Sequence, residues 1–159
     1  MNYLIHKLLN SEELVILRKN LDKEKLLWED GKQTAGKQAA LVKNNLQLKR
    51  DSDLSIKFSK LITKKILSNE LIKSFALPKK IHGTIFSKST RGMKYGSHID
   101  NPYMPSGRAD LSFTIFLNYK DNYEGGALSI ESFNSEKKFK LNAGEIIIYP
   151  STYLHSVEE

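Results

Sequence analysis

The 159-residue chain has no cysteine, one tryptophan and four prolines. Without thiols it has no disulfide framework, thiol nucleophile, iron–sulfur cluster or cysteine zinc site, so any metal it holds must be bound by His, Asp or Glu. Long apolar runs are also missing. Nothing approaches the roughly 20 residues of a membrane-spanning helix, and His6 and Lys7 interrupt the first ten residues. These absences predict a cytoplasmic protein with no membrane partner. Acidic residues are scarce in one stretch only: residues 1–100 hold 20 Lys and Arg against 10 Asp and Glu, a net +10, whereas residues 101–159 hold 5 against 8, a net −3. What is present is a globular composition, 40% hydrophobic and 27% charged, in a length that suits one structural unit.

Along the chain the pattern changes near Pro78. A strand is expected over 3–8. Ser11-Glu12-Glu13 then reads as an N-cap with two acidic residues in the first turn of a short helix carrying Leu14, Ile16, Leu17 and Leu21. Residues 28–40, with two glycines and little periodicity, read as a loop leading into an extended stretch over 41–48. Ser52 or Asp53 caps a longer helix whose apolar positions run from Leu54 through Phe58, Leu61, Ile62, Leu71 and Ile72 to Phe75. The basic residues from Lys43 to Lys94 read mainly as a solvated face. Beyond Pro78, strands are expected over 81–87, 111–119, 127–132, 137–141, 145–149 and 152–157, a spacing typical of a sandwich or barrel. Residues 1–78 thus form a helical and extended support region for a β core over 79–159.

The chemistry-bearing residues sit in that second part. In Tyr95-Gly96-Ser97-His98-Ile99-Asp100 an imidazole and a carboxylate stand two positions apart, and on an extended chain both point to the same side. His155 follows a strand and a Pro150-Ser151 turn, far enough along for several strands to fold back. Two His and one carboxylate suit non-haem Fe(II), with positions left open for substrate and oxygen, although zinc or manganese takes the same ligands. His6 and His82 lack carboxylates at ligand spacing and read as structural or surface histidines.

The set His98-x-Asp100, Arg108-Ala109-Asp110-Leu111-Ser112, Tyr123-Glu124-Gly125-Gly126-Ala127-Leu128, Leu141-Asn142-Ala143-Gly144-Glu145 and Tyr149 to His155 resembles the core of the Fe(II)/2-oxoglutarate dioxygenases. Trp28, Asp30-Gly31, Thr34-Ala35-Gly36, Gln38-Ala39, Val42-Lys43-Asn44-Asn45 and Gln47 narrow the likeness to the bacterial PKHD-type, prolyl-4-hydroxylase-like hydroxylases. The resemblance implies a mainly β fold, a double-stranded β-helix or jelly-roll core with N-terminal helices packed on it, α+β overall. It implies His98, Asp100 and His155 as metal ligands and catalytic residues. Fe(II), 2-oxoglutarate, O2 and supporting ascorbate are the implied cofactors. The implied reaction hydroxylates an unactivated C–H bond of a small molecule or protein side chain while 2-oxoglutarate is decarboxylated to succinate. Gly125-Gly126 and Ala143-Gly144 read as turns, and Arg108 with Asp110 as a pair fixing a loop beside the metal or, as the alternative, meeting substrate.

Members of that family carry an arginine for the distal carboxylate of 2-oxoglutarate on a strand after the second histidine. Here the residues after His155 are Ser156-Val157-Glu158-Glu159, so the expectation is a chain whose last core strand is missing. Tyr95 is a hydrogen-bonding candidate for the co-substrate, and Arg91, Lys94 and Arg108 are the nearest cations in sequence. Two other readings stay open: a non-catalytic metal- or ligand-binding jelly-roll or inactive fragment, and a basic nucleic-acid-binding module, the latter disfavoured because its basic residues lack interleaved aromatics. Oligomeric state is left open.

Overall fold

A computed structural model describes residues 2–23 and 27–159. Strand β1 (Leu4–Lys7) enters helix α1 (Ser11–Lys23). The cap is Asn10, not the expected Ser11: Asn10 Oδ1 accepts from the Glu13 N–H while the Glu13 carboxylate accepts from the Asn10 N–H, both at 2.9 Å. The expected loop over 28–40 contains β2 (Trp28–Asp30), a 3-10 turn (Gly31–Thr34) and the short helix α2 (Lys37–Leu41), followed by β3 (Lys43–Asn44) and β4 (Leu46–Leu48). Local periodicity is weak there because β2 and β4 are held by pairing with each other.

Helix α3 (Asp53–Ser68) is capped by Ser52 and buries Phe58, Ile62 and Ile66 along one stripe. The expected single long helix is broken. Asn69 leaves the helical region at φ −89°, ψ 116° and caps α4 (Glu70–Ala76) through Ile72 N–H. Its amide also meets the His6 ring at 2.9 Å, tying the break to β1.

The β region comprises β5 (Ser87–Lys88), β6 (Lys94–His98), β7 (Tyr103–Met104), β8 (Gly107–Arg108), β9 (Leu111–Ile115), β10 (Leu128–Ser132), β11 (Ser135–Phe139), β12 (Glu145–Pro150) and β13 (Leu154–Val157). One sheet runs β1-β12-β9 and a second β11-β10-β13-β6-β3, all antiparallel. Smaller pieces are β2-β4-β5 and the β7-β8 hairpin. The two main sheets make the double-stranded β-helix. The expected strand over 81–87 shrinks to β5: among the described residues, 81–86 join no ladder, so their apolar pattern fills space beside the helices without forming sheet. Among the described residues strand β9 has a ladder partner on one side, β12.

Strand β12 explains the layering. Its residues alternate between two cores: Ile146 and Ile148 pack with Leu14, Leu17, Phe58 and Ile62 of the helices, while Ile147 and Tyr149 pack with Leu128, Ile130 and Phe139 of the second sheet. A strand covered on both faces needs a continuous apolar run, and Ile-Ile-Ile-Tyr is one. Gly144, at φ 86°, makes the turn into β12; a side chain there would also run into Leu9 O at 2.6 Å. No described helix is long and apolar enough to cross a membrane.

Phe58 is 2% exposed, whereas Phe133 at the β10-β11 tip is fully exposed. Phe58→Ala should therefore cost about 3–5 kcal/mol of stability and Phe133→Ala no more than about 0.5 kcal/mol. Urea denaturation of both variants checks this.

Candidate metal centre

Three candidate ligands from two distant stretches of chain, His98 with Asp100 and the remote His155, meet at one end of the second sheet. His98 ends β6 and His155 lies on β13, and the ladder places the two directly opposite each other. Three residue steps on β6, Tyr95 to His98, face two on β13, so β6 carries one extra residue. Beyond the end of β6, Asp100 is held by its N–H donating to Ser151 O at 3.3 Å, while Ile99 between them faces outward. Ligand atoms of His98, Asp100 and His155 lie within 4.8 Å of one another.

The hydrogen bonds behind the rings decide which nitrogen is free. His98 Nδ1 lies 2.8 Å from Gly96 O, and His155 Nδ1 lies 2.9 Å from Tyr153 O. A carbonyl oxygen only accepts, so in the neutral form of each ring Nδ1 carries the proton and Nε2 keeps its lone pair. The two Nε2 atoms face Asp100, at 3.8 Å from Oδ1 for His98 and 3.7 Å from Oδ2 for His155. Ser112 on β9 donates to Asp100 Oδ2 at 2.5 Å and holds that carboxylate in place. Two neutral imidazoles and one oriented carboxylate, with a hydrogen-bonded support behind each, form a donor set that fits a non-haem ferrous ion.

Both imidazoles are buried, whereas Asp100 is half-exposed. Tyr95 stacks on the His98 ring with centroids 3.6 Å apart, and Tyr149 meets His155 edge-on at 5.2 Å. Burial, then the negative charge of Asp100, raises the Tyr95 hydroxyl to about 12, and Tyr149 is raised by the same two causes, so both phenols stay protonated. Burial also pushes His98 below its usual imidazole value; His155 adds to that, and Gly96 O and Asp100 oppose it.

Arg108, Asp110, His82 and the Gly125-Gly126 turn line the cleft around this centre. Arg108 and Asp110 pair at 2.5 Å on the exposed surface. Tyr103 and Met104 form one arm of the β7-β8 hairpin, and His82 ties that hairpin to the 81–86 segment through Ser106 at 2.9 Å and Arg108 O at 3.0 Å. Gly125 and Gly126 adopt φ of 62° and 65°, as a tight turn requires. Two residues near the centre were given no role by sequence reasoning. Ser112 ends the Arg108-Ala109-Asp110-Leu111-Ser112 segment, but nothing local says that a serine on β9 reaches Asp100. Lys43 was grouped with the solvated basic residues, yet it is only 4% exposed. An open cleft over the triad is lined by His98, Asp100 and His155 together with Ser112 and Lys43.

Residues 84–159 match the family described as the 2OG-Fe(II) oxygenase superfamily. A PKHD-type hydroxylase of Prochlorococcus marinus strain MIT 9215 is 68% identical over 159 residues, which is all of this chain and 72% of the relative. The PKHD-type hydroxylase of strain NATL1A is 57% identical with the same coverage. Among solved structures, a Pseudomonas putida prolyl-4-hydroxylase superposes with a TM-score of 0.67 at 14% identity, covering 98% of this chain and 84% of that one. A Trichoplax adhaerens prolyl hydroxylase, solved with a hypoxia inducible factor peptide fragment, gives 0.71 at 17% identity and covers 98% and 76%. At such identities these two structures speak for the shared fold.

Because the folded state holds His98 below its ordinary value, the unfolded chain takes up a proton there at higher pH than the folded chain. This contribution to stability is complete above about pH 6.5 and is lost as pH falls through the folded value. Urea midpoints of the metal-free protein should fall between about pH 7.5 and about pH 5.5, and the fall should shrink in His98→Gln.

Proposed function

This chain belongs to the PKHD-type hydroxylases of the 2OG-Fe(II) oxygenase superfamily, and we propose that His98, Asp100 and His155 are its iron ligands and that it hydroxylates an unactivated C–H bond. Bound there, ferrous iron with 2-oxoglutarate and O2 supplies the oxidising power, 2-oxoglutarate leaving as succinate and carbon dioxide. The observation that carries the reading is the convergence of two Nε2 lone pairs and one carboxylate on a common point, with both Nδ1 protons tied to backbone carbonyls.

The chain's own groups then have separable tasks. His98 and His155 donate as neutral imidazoles, kept in that tautomer by Gly96 O and Tyr153 O. Asp100 contributes the negative charge, and Ser112 limits its rotation. The Tyr95 and Tyr149 rings cover the imidazoles and keep water from competing for the ligand atoms. The substrate enters from the side of the β7-β8 hairpin, where Tyr103 is 72% exposed. It is a small molecule or a protein side chain; the peptide held by the Trichoplax neighbour supports the second.

Anaerobic titration of the protein with Fe(II) and 2-oxoglutarate should give the weak visible metal-to-ligand charge-transfer band of the ternary complex. The band should vanish in His98→Ala. Iron-loaded, folded protein that gives no band with 2-oxoglutarate would replace this reading with that of a non-catalytic metal-binding jelly-roll. Ser112→Ala should keep the fold and weaken Fe(II) affinity by roughly 10–100-fold, the usual effect of losing a group that orients a ligand; Fe(II) titration against a competing chelator measures it.

A further inference from the structure

Lys43 is a buried lysine on β3. It is 4% exposed, and among the described residues no carboxylate lies within 4.0 Å of its Nζ. Its one hydrogen bond among them goes to Thr34 Oγ1 at 3.3 Å. A buried charge left this way is costly unless something completes its pairing. Its surroundings are polar and also incomplete. Thr34 Oγ donates to Gln47 Oε1, and Gln47 is 2% exposed. Asn45 is 7% exposed, and its Oδ1 has no hydrogen-bond partner among the described residues. Turning the amide over presents Nδ2 in the same place. Gly31 packs against both Asn45 and Lys43, where a side chain would collide with the Asn45 amide. Backbone and side chains thus leave these groups facing the cleft that also holds the metal centre.

The position relative to that centre is defined. Lys43 on β3 pairs with Tyr95 on β6, and its Nζ sits 4.8 Å from the Tyr95 ring centroid. The same ring stacks on His98. One aromatic ring therefore separates the ammonium from an imidazole of the triad. A cation on an aromatic face is partly stabilised, but this leaves two of its three N–H donors without hydrogen-bond partners among the described residues.

We propose that Lys43, Thr34 and Asn45 form a carboxylate-binding subsite that positions the molecule oxidised at the metal centre, or its co-substrate, by a charge-assisted hydrogen bond to Lys43. This inference rests on the functional reading above for the role of the bound molecule, and on the cleft alone for the carboxylate. Burial, followed by repulsion from Arg50, lowers the Lys43 ammonium to about 8 while Asp100 opposes the change, which agrees with a site that lacks its anion. Such a cation gains most from a ligand that brings negative charge with it.

The test uses the full chain, free of iron, with lysine side chains labelled for NMR and Lys43 assigned through Lys43→Arg. Acetate and 2-oxoglutarate are titrated separately, with chloride at equal ionic strength as control. The expected result is a saturable shift of the Lys43 resonance by a carboxylate and not by chloride, with its pKa rising as the site fills. Acetate that still shifts Lys43 when 2-oxoglutarate is saturating, in Zn(II)-loaded protein, assigns the subsite to the oxidised substrate; competition between the two assigns it to the co-substrate. Lys43→Met, checked for fold by circular dichroism, should weaken the carboxylate by roughly ten- to a hundredfold, the loss expected for one charge-assisted hydrogen bond. A Lys43 resonance that follows chloride and both carboxylates alike overturns the subsite. Because this readout needs no iron, its failure is distinct from absence of the charge-transfer band.

Discussion

The antiparallel register of β6 against β13 is the constraint on which the site depends. It sets His98 opposite His155 although 56 residues of chain lie between them. A shift by one residue would turn one imidazole to the other face of the sheet and dissolve the cluster. The extra residue in β6 accommodates this pairing, and Gly96 within it serves twice: its carbonyl takes the His98 Nδ1 proton, and its lack of a side chain lets Val42 approach, since a Cβ would lie 2.8 Å from Val42 Cβ. Metal-centre geometry and strand pairing are therefore one problem.

The rest of the fold holds that register in place. Strand β10 pairs with the far side of β13, and β3 with the far side of β6, so both ligand-bearing strands are interior to the five-stranded sheet. Leu128, Ile130 and Phe139 then seat this sheet on Ile147 and Tyr149 of β12. The opposite face of β12 is covered by α1 and α3, which the Lys65–Glu13 ion pair links at 2.6 Å. Helices that never touch the centre still position it, because β12 cannot bury one face without the other.

Charge is distributed to match. The basic first hundred residues supply most of their charge to solvent, but Lys43 carries one cation inside, beside the aromatic ring that covers His98. Asp100 faces the same cleft with negative charge. The cleft thus holds a carboxylate beside two imidazoles and, one aromatic ring away, a buried ammonium, the complementary charges on which the proposed metal site and carboxylate subsite rest.

Much of this was legible in the chain itself. The absence of cysteine restricted metal ligands to His, Asp and Glu, and His98-x-Asp100 with a remote His155 marked the three that converge. Ile146 to Tyr149 marked a strand buried on both faces, and glycines at 125, 126 and 144 marked turns that need positive φ. These features are local: they depend on residue type, spacing and backbone conformation. Tertiary structure alone decided that Asn69 would break the long helix, that 81–86 would join no ladder among the described residues, that Ser112 would hold Asp100, and that Lys43 would be buried. Each depends on a partner far along the chain, His6 for Asn69, Asp100 for Ser112 and Tyr95 for Lys43. Whether a lysine meets water or an aromatic ring is set by which strand lies beside it, and strand pairing is a property of the folded chain.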